Sequence, residues 1–123
     1  MKYNLSEDGM LITIDGIEYK ALTDYNNEFT LAANEILYKY VITKGFIEAL
    51  HTHSQTEGGL ALNLFTEYND NLTGLLALLF MADDEDIDEA TFKAKVKLFK
   101  RLPVKVLSKA GVVIRNFFDS MRQ

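Results

Sequence analysis

Cysteine is absent from this 123-residue chain, and with it go disulfides, thiolate nucleophiles and every cysteine-based zinc or iron–sulfur site. Tryptophan is absent as well, histidine occurs twice and proline once, at position 103. Neither a G-x-G-x-x-G fingerprint nor a P-loop lysine motif occurs, so no phosphate-cradling loop is legible; Gly58-Gly59 alone does not make one. The longest apolar stretch, Leu72–Ala82, is 11 residues, short of the roughly 18 that would cross a bilayer. The opening residues hold one lysine with no apolar run behind them, which does not read as a signal peptide. What is present is ordinary for a globular chain: 48% hydrophobic and 25% charged residues, with 13 basic and 18 acidic side chains for a net charge of -5. At about 150 residues per domain, one domain over 1–123 is expected. A cytoplasmic protein without membrane contact or cofactor is the corresponding expectation.

The first segment alternates. Met10-Leu-Ile-Thr-Ile14, then Asp15-Gly16, then Ile17-Glu-Tyr-Lys-Ala21 reads as a hairpin closed by a two-residue type I′ turn, whose central positions both need φ > 0. Pairing across that turn sets Ile14 against Ile17, Ile12 against Tyr19 and Met10 against Ala21 on one face. Leu11, Thr13, Glu18 and Lys20 fall on the other, and a one-residue slip would bury the charges. Tyr3 and Leu5 suit a short third strand.

From Thr23 and Asp24, both plausible N-caps, the period changes to three and four. Phe29, Ala32, Ala33, Ile36, Leu37, Tyr40 and Val41 form one helical stripe, with Gly45 either ending the helix or bending it toward Phe46, Ile47 and Leu50. His51–Gly59 is loop-like. Leu60–Met81 reads as helix, apolar all round in its second half and so buried on all sides. Asn69-Asp-Asn71 could equally divide it, and Gly74 suits close approach of another helix. Six acids crowd 83–89. Asp86 with Glu89 loosely fits a capping box, and a helix runs on to about Leu102. Pro103 stops it and opens a last helix with Val106, Leu107, Ala110, Val113, Ile114, Phe117, Phe118 and Met121 on one broad face. The expected fold is therefore α+β and predominantly helical: a β-hairpin segment (1–22, strands over about 10–21) packed on a bundle of four or five helices (23–123).

Candidate chemistry is sparse. His51 and His53, in an H-x-H arrangement with Glu48 or Glu57 nearby, do not complete a three- or four-ligand set, and a polar loop is the better reading. Placing Asp84, Asp86 and Asp88 on a calcium loop puts Glu89 where glycine is required and Lys95 where a bidentate glutamate belongs, so that reading fails. No paired titratable groups suggest a catalytic cleft, and an enzyme is not expected.

Charge is segregated. Residues 1–92 hold 4 basic and 17 acidic side chains, whereas residues 93–123 hold 9 basic and 1 acidic. A basic end of this kind could contact phosphates through Lys93, Lys97, Lys100, Arg101, Lys105 and Lys109. Overall acidity opposes nucleic acid, and the favoured reading lays the basic helices against acidic surface of the same chain or a neighbouring subunit. The apolar surplus is the other clue. A single small core is not expected to cover every apolar face, so Leu75, Leu79, Val106, Ala110, Val113, Ile114, Phe117, Phe118 and Met121 are candidates for a partner or homo-oligomer interface.

The order of elements adds a resemblance. An Ile12-Thr-Ile14-Asp15-Gly16 hairpin with Tyr19, a helix, the Leu75-Leu-Ala-Leu-Leu-Phe80 segment, the acid-rich Asp83–Glu89 stretch and further helices together resemble the tail assembly chaperones of long-tailed bacteriophages. The resemblance implies a non-enzymatic, mostly helical, oligomerising protein that coats a long helical tape measure protein until the tail tube polymerises around it. The runner-up is a nucleic-acid-binding or regulatory protein using the basic C-terminal helices, or a structural part of the virion.

Overall fold

The alternation at the N-terminus folds into an antiparallel sheet of order β1-β2-β3-β4 in the computed structural model, which describes residues 1–52 and 62–121. Strands β1 (Tyr3–Leu5), β2 (Leu11–Ile14) and β3 (Ile17–Ala21) are consecutive. The hairpin register is the expected one, with Ile12 opposite Tyr19 and Ile14 opposite Ile17. Asp15 and Gly16 take φ of 48° and 85°, the paired left-handed conformation of a type I′ turn. Ile12, Ile14 and Tyr19 are buried against the helices, while Glu18 and Lys20 on the opposite face are exposed. Ile17 shares the inner face but projects past the helices and is 52% exposed.

The fourth strand corrects the expected boundary of the apolar helix. Helix α5 (Asn69–Leu79) stops two residues short of Met81, and Phe80–Met81 becomes β4, with Ala21 opposite Phe80 and Lys20 opposite Met81. The free edge of β3 supplies the cause: its backbone groups need partners, and the Leu22 amide also donates to the Leu79 carbonyl at 2.9 Å.

The stripe expected as one helix from Phe29 is divided. Helix α1 is Tyr25–Glu28, α2 is Leu31–Ile36 running into a π turn at Leu37–Val41, and α3 is Lys44–Thr52. Local side chains make the breaks. Glu28 accepts from the Thr23 and Asp24 amides, Thr30 caps α2 by accepting from the Ala33 amide at 3.1 Å, and Thr43 accepts from the Phe46 amide. The Ile42 amide reaches back five residues to the Leu37 carbonyl, and Asn71 donates to the Val41 carbonyl at 2.6 Å, which fixes the end of the π turn.

Helix α4 (Leu62–Glu67) precedes α5, whose residues Leu72–Leu79 are all buried. The helix that is apolar on every side is thus the centre of its own fold, packed against the π turn, α4, α6 and α8. A Cβ at Gly74 would lie 2.9 Å from Val41 Cγ2 and 3.3 Å from Phe92 Cζ, so glycine permits this approach. Helices α6 (Glu89–Phe99), α7 (Val104–Ala110) and α8 (Val112–Met121) complete the chain. Pro103 stands at the N-cap of α7, and a turn at Gly111 splits the expected last helix in two. Eight α-helices and one π turn among the described residues replace the expected four or five, because short capping residues cut long apolar stripes without changing which side is buried.

Candidate functional site

Helix α6 is the element around which surface features gather. Its start is fixed by Asp88, whose extended backbone lets Oδ1 accept from the Thr91 amide at 2.8 Å. That bond holds the Asp88 carboxyl below its ordinary range. Acids precede the first turn and lysines fill the rest, the arrangement the helix dipole favours. Phe92, Lys95 and Phe99 face inward and are buried, whereas Ala90, Lys93, Ala94 and Lys97 are exposed.

A groove of about 390 Å³ runs between α6, the π turn and the start of α5, lined by Tyr40, Asp70, Phe92, Lys93, Val96, Lys97 and Lys100. Its floor is apolar. The Tyr40 ring stacks on Phe92 with centroids 5.9 Å apart and an interplanar angle of 27°. Its hydroxyl donates to Glu89 Oε2 at 2.9 Å, and Lys39 Nζ donates to Glu89 Oε1 at 2.8 Å. These bonds, first from Lys39 and then from Tyr40, lower the Glu89 carboxyl, while Glu89 raises the Lys39 ammonium. Lys93 sits 5.2 Å from the Tyr40 ring centroid, a cation–π contact that leaves its charge at the rim. Lys100 is ion-paired with Asp70. Among the described residues no carboxylate lies within 4.0 Å of Lys93 or Lys97.

On the other flank of α6 lies a second groove of about 310 Å³ beside Ile17, Tyr19, Ala82, Ala94 and Leu98. It is floored by an ion pair, Lys95 Nζ to Glu85 Oε2 at 2.8 Å, with side chains 4% and 10% exposed. Burial pushes the Lys95 ammonium below its usual range, against the raising effect of Glu85. Glu85 Oε1 also accepts from the Ala82 amide at 2.9 Å, so both carboxylate oxygens are engaged.

Three of the six residues expected to contact phosphates, Lys93, Lys97 and Lys100, thus come together in one groove. Arg101 lies in the turn after α6, and Lys105 and Lys109 are exposed on α7, so these three belong to other surface. The expected interface set is corrected. Leu75, Leu79, Ala110, Val113, Ile114 and Phe117 are buried in the chain's own core, where Phe117 meets Tyr25 edge-on with centroids 5.3 Å apart. The broad face of α7 and α8 closes on α4 and α5, and those side chains are not presented to a partner. Val106 and Phe118 are half-buried against the same core. The side chains of Met121 and His51, together with His53, Glu57, Gly58 and Gly59, lie outside the described residues. Among the described residues no group of three or more histidines and acids could hold a metal, and no helix is long and apolar enough to cross a membrane.

Sequence reasoning missed Tyr40 and Val96 as groove floor. A regular helix from Phe29 places Tyr40 on the buried stripe. The wider π turn instead leaves Tyr38 and Tyr40 60% and 36% exposed while Val41 returns to the core, and such turns mark functional positions often enough to be a signal in themselves. Comparison with known protein families, with curated proteins and with solved structures returns no match for this chain.

Proposed function

We propose that this chain is a non-enzymatic interaction protein that shields an acidic amphipathic helix of a longer partner, the role implied by its resemblance to phage tail assembly chaperones, acting in the host cytoplasm. The observation that carries the reading is the groove beside α6, with an aromatic and aliphatic floor flanked by Lys93 and Lys97, neither of which has a carboxylate within 4.0 Å among the described residues. Helix-in-groove recognition needs that combination: apolar anchors on the floor and carboxylates at the rim. The partner fitting it is a helix with leucine-like residues on one face and glutamates beside them, as a tape-measure-like protein can provide.

A fluorescence anisotropy titration of the full chain with a labelled leucine–glutamate amphipathic helical peptide tests this. Binding is expected, with at least about tenfold loss in a Lys93→Glu/Lys97→Glu variant, since reversing rim charges opposes an acidic ligand. The second reading has its own observation, the exposed Tyr40 ring among Lys39, Lys93 and Lys97, which is also what stacked bases and phosphates require. A single-stranded oligonucleotide titrated in parallel separates the two. Tight, salt-sensitive oligonucleotide binding with no peptide binding would replace the chaperone reading.

A further inference from the structure

The crest of α6 toward the second groove carries a seam that the described residues leave partly open. On α6, Thr91, Ala94 and Leu98 follow at spacings of three and four, the period of two helices packed side by side, and Ile87 lies just before the N-cap Asp88. Ala94 at its centre is exposed, Ile87, Thr91 and Leu98 are half-buried, and Ile17 stands beside them more than half exposed. The seam's two ends carry opposite charge. Asp83, Asp84 and Asp86 are exposed before α6, and Arg101 and Lys105 are exposed after it. The chain settles little of this charge internally: among the described residues Lys95 and Lys100 are the only cations from 93 onward with a carboxylate within 4.0 Å, and of those three acids only Asp83 meets a cation, Lys20 at 3.8 Å.

We infer that a second copy of this chain covers the seam, its α6 antiparallel to the first across a two-fold axis at Ala94. That alignment places Ala94 against Ala94, where two methyl groups allow close approach, and Thr91 opposite Leu98. It brings Asp84 and Asp86 of each copy toward Arg101 and Lys105 of the other, and it sets the helix dipoles in opposition. A parallel pairing would juxtapose like charges at both ends. Two-fold symmetry makes the surface self-complementary, so one patch closes the assembly. Ile17 is covered in the same step. The groove at Tyr40 lies on the opposite flank of α6 and stays open, so the dimer does not depend on the function proposed above.

Sedimentation velocity on the full chain is the test. A species of twice the 14.0 kDa chain mass is expected at about 100 µM protein, the range of modest self-association, and it should weaken with added salt. Ala94→Arg should be monomeric with unchanged circular dichroism, because the residue is exposed and places bulk on the axis. Asp86→Lys and Arg101→Glu should each dimerise at least about tenfold more weakly, since each sets like charges opposite one another twice. An equimolar mixture of the two should recover dimer, because a heterodimer restores every opposite-charge contact. A monomeric wild type, a dimeric Ala94→Arg, or a mixture no more associated than its components would overturn the inference.

Discussion

Glu85→Ala is expected to destabilise the chain by about 3–5 kcal/mol, the cost of leaving a buried charge without its partner. Lys95 is 5% exposed, and its ammonium meets Glu85 Oε2 at 2.8 Å and the Met81 sulfur at 3.4 Å. Sulfur is a weak acceptor, so without Glu85 the ammonium keeps only that contact and the Tyr19 ring, whose centroid is 5.7 Å away, and neither replaces a carboxylate. The Ala82 amide loses its acceptor as well. Against a total stability of about 5–15 kcal/mol, this is a large fraction. Lys95→Met should cost far less. It keeps the buried stem apolar and leaves Glu85 with the Ala82 amide. Urea denaturation of both variants measures the asymmetry; equal losses would mean that Glu85, itself only 10% exposed, is as costly to leave unpaired as Lys95. A pH signature accompanies it. Burial holds the Lys95 pKa below its ordinary 10.5, so between that lowered value and 10.5 the unfolded chain binds more protons than the folded one. Stability rises with pH wherever this holds. Wild type should therefore gain on Lys95→Met across that interval, and lose the gain as pH falls through the lowered value.

Gly74→Leu is the second large effect, a loss of about 3 kcal/mol from overpacking. The first added atom already lies 2.9 Å from Val41 Cγ2 and 3.3 Å from Phe92 Cζ. Val41 is held in the π turn and is fully buried, and Phe92 is 5% exposed under the Tyr40 ring. Neither side chain is a flexible tip that could swing away. Gly74→Ala should come out much closer to neutral, because the gain in helix propensity of about 1 kcal/mol opposes the contact. Thermal melts of the two variants separate the terms. A leucine variant as stable as wild type would show that α5 and α6 can move apart, and with them the floor of the Tyr40 groove.

How much of this was readable beforehand depended on whether the cause was local. The hairpin was legible because alternation, register and the Asp15-Gly16 turn are properties of adjacent residues, and the inner face appeared as expected. So was the buried centre, since Leu72–Leu79 offers no polar face to water. The breaks at Thr30, Thr43 and Gly111 were not, because threonine and glycine inside an apolar stripe are compatible with both a continuous helix and a capped one. Strand β4 was invisible for a different reason. Phe80 and Met81 pair with residues some 60 positions earlier, and periodicity carries nothing about such contacts. The site divides in the same way. Charge segregation singled out Lys93, Lys97 and Lys100 together with Arg101, Lys105 and Lys109, but the aromatic floor depends on a π turn that no pattern announced. The large apolar residues of α7 and α8 were misread as surplus because burial by a central helix, remote in sequence, was not counted.

The claim that α6 and the π turn form a docking groove is tested most directly by residue-resolved NMR. The isotope-labelled full chain would be titrated with the leucine–glutamate helical peptide. Shifts are predicted to concentrate at Tyr40, Phe92, Lys93, Val96 and Lys97, leaving the outer sheet face at Thr13 and Glu18 unmoved. A peptide that perturbs none of the groove residues, or the sheet face as strongly as the groove, would contradict it.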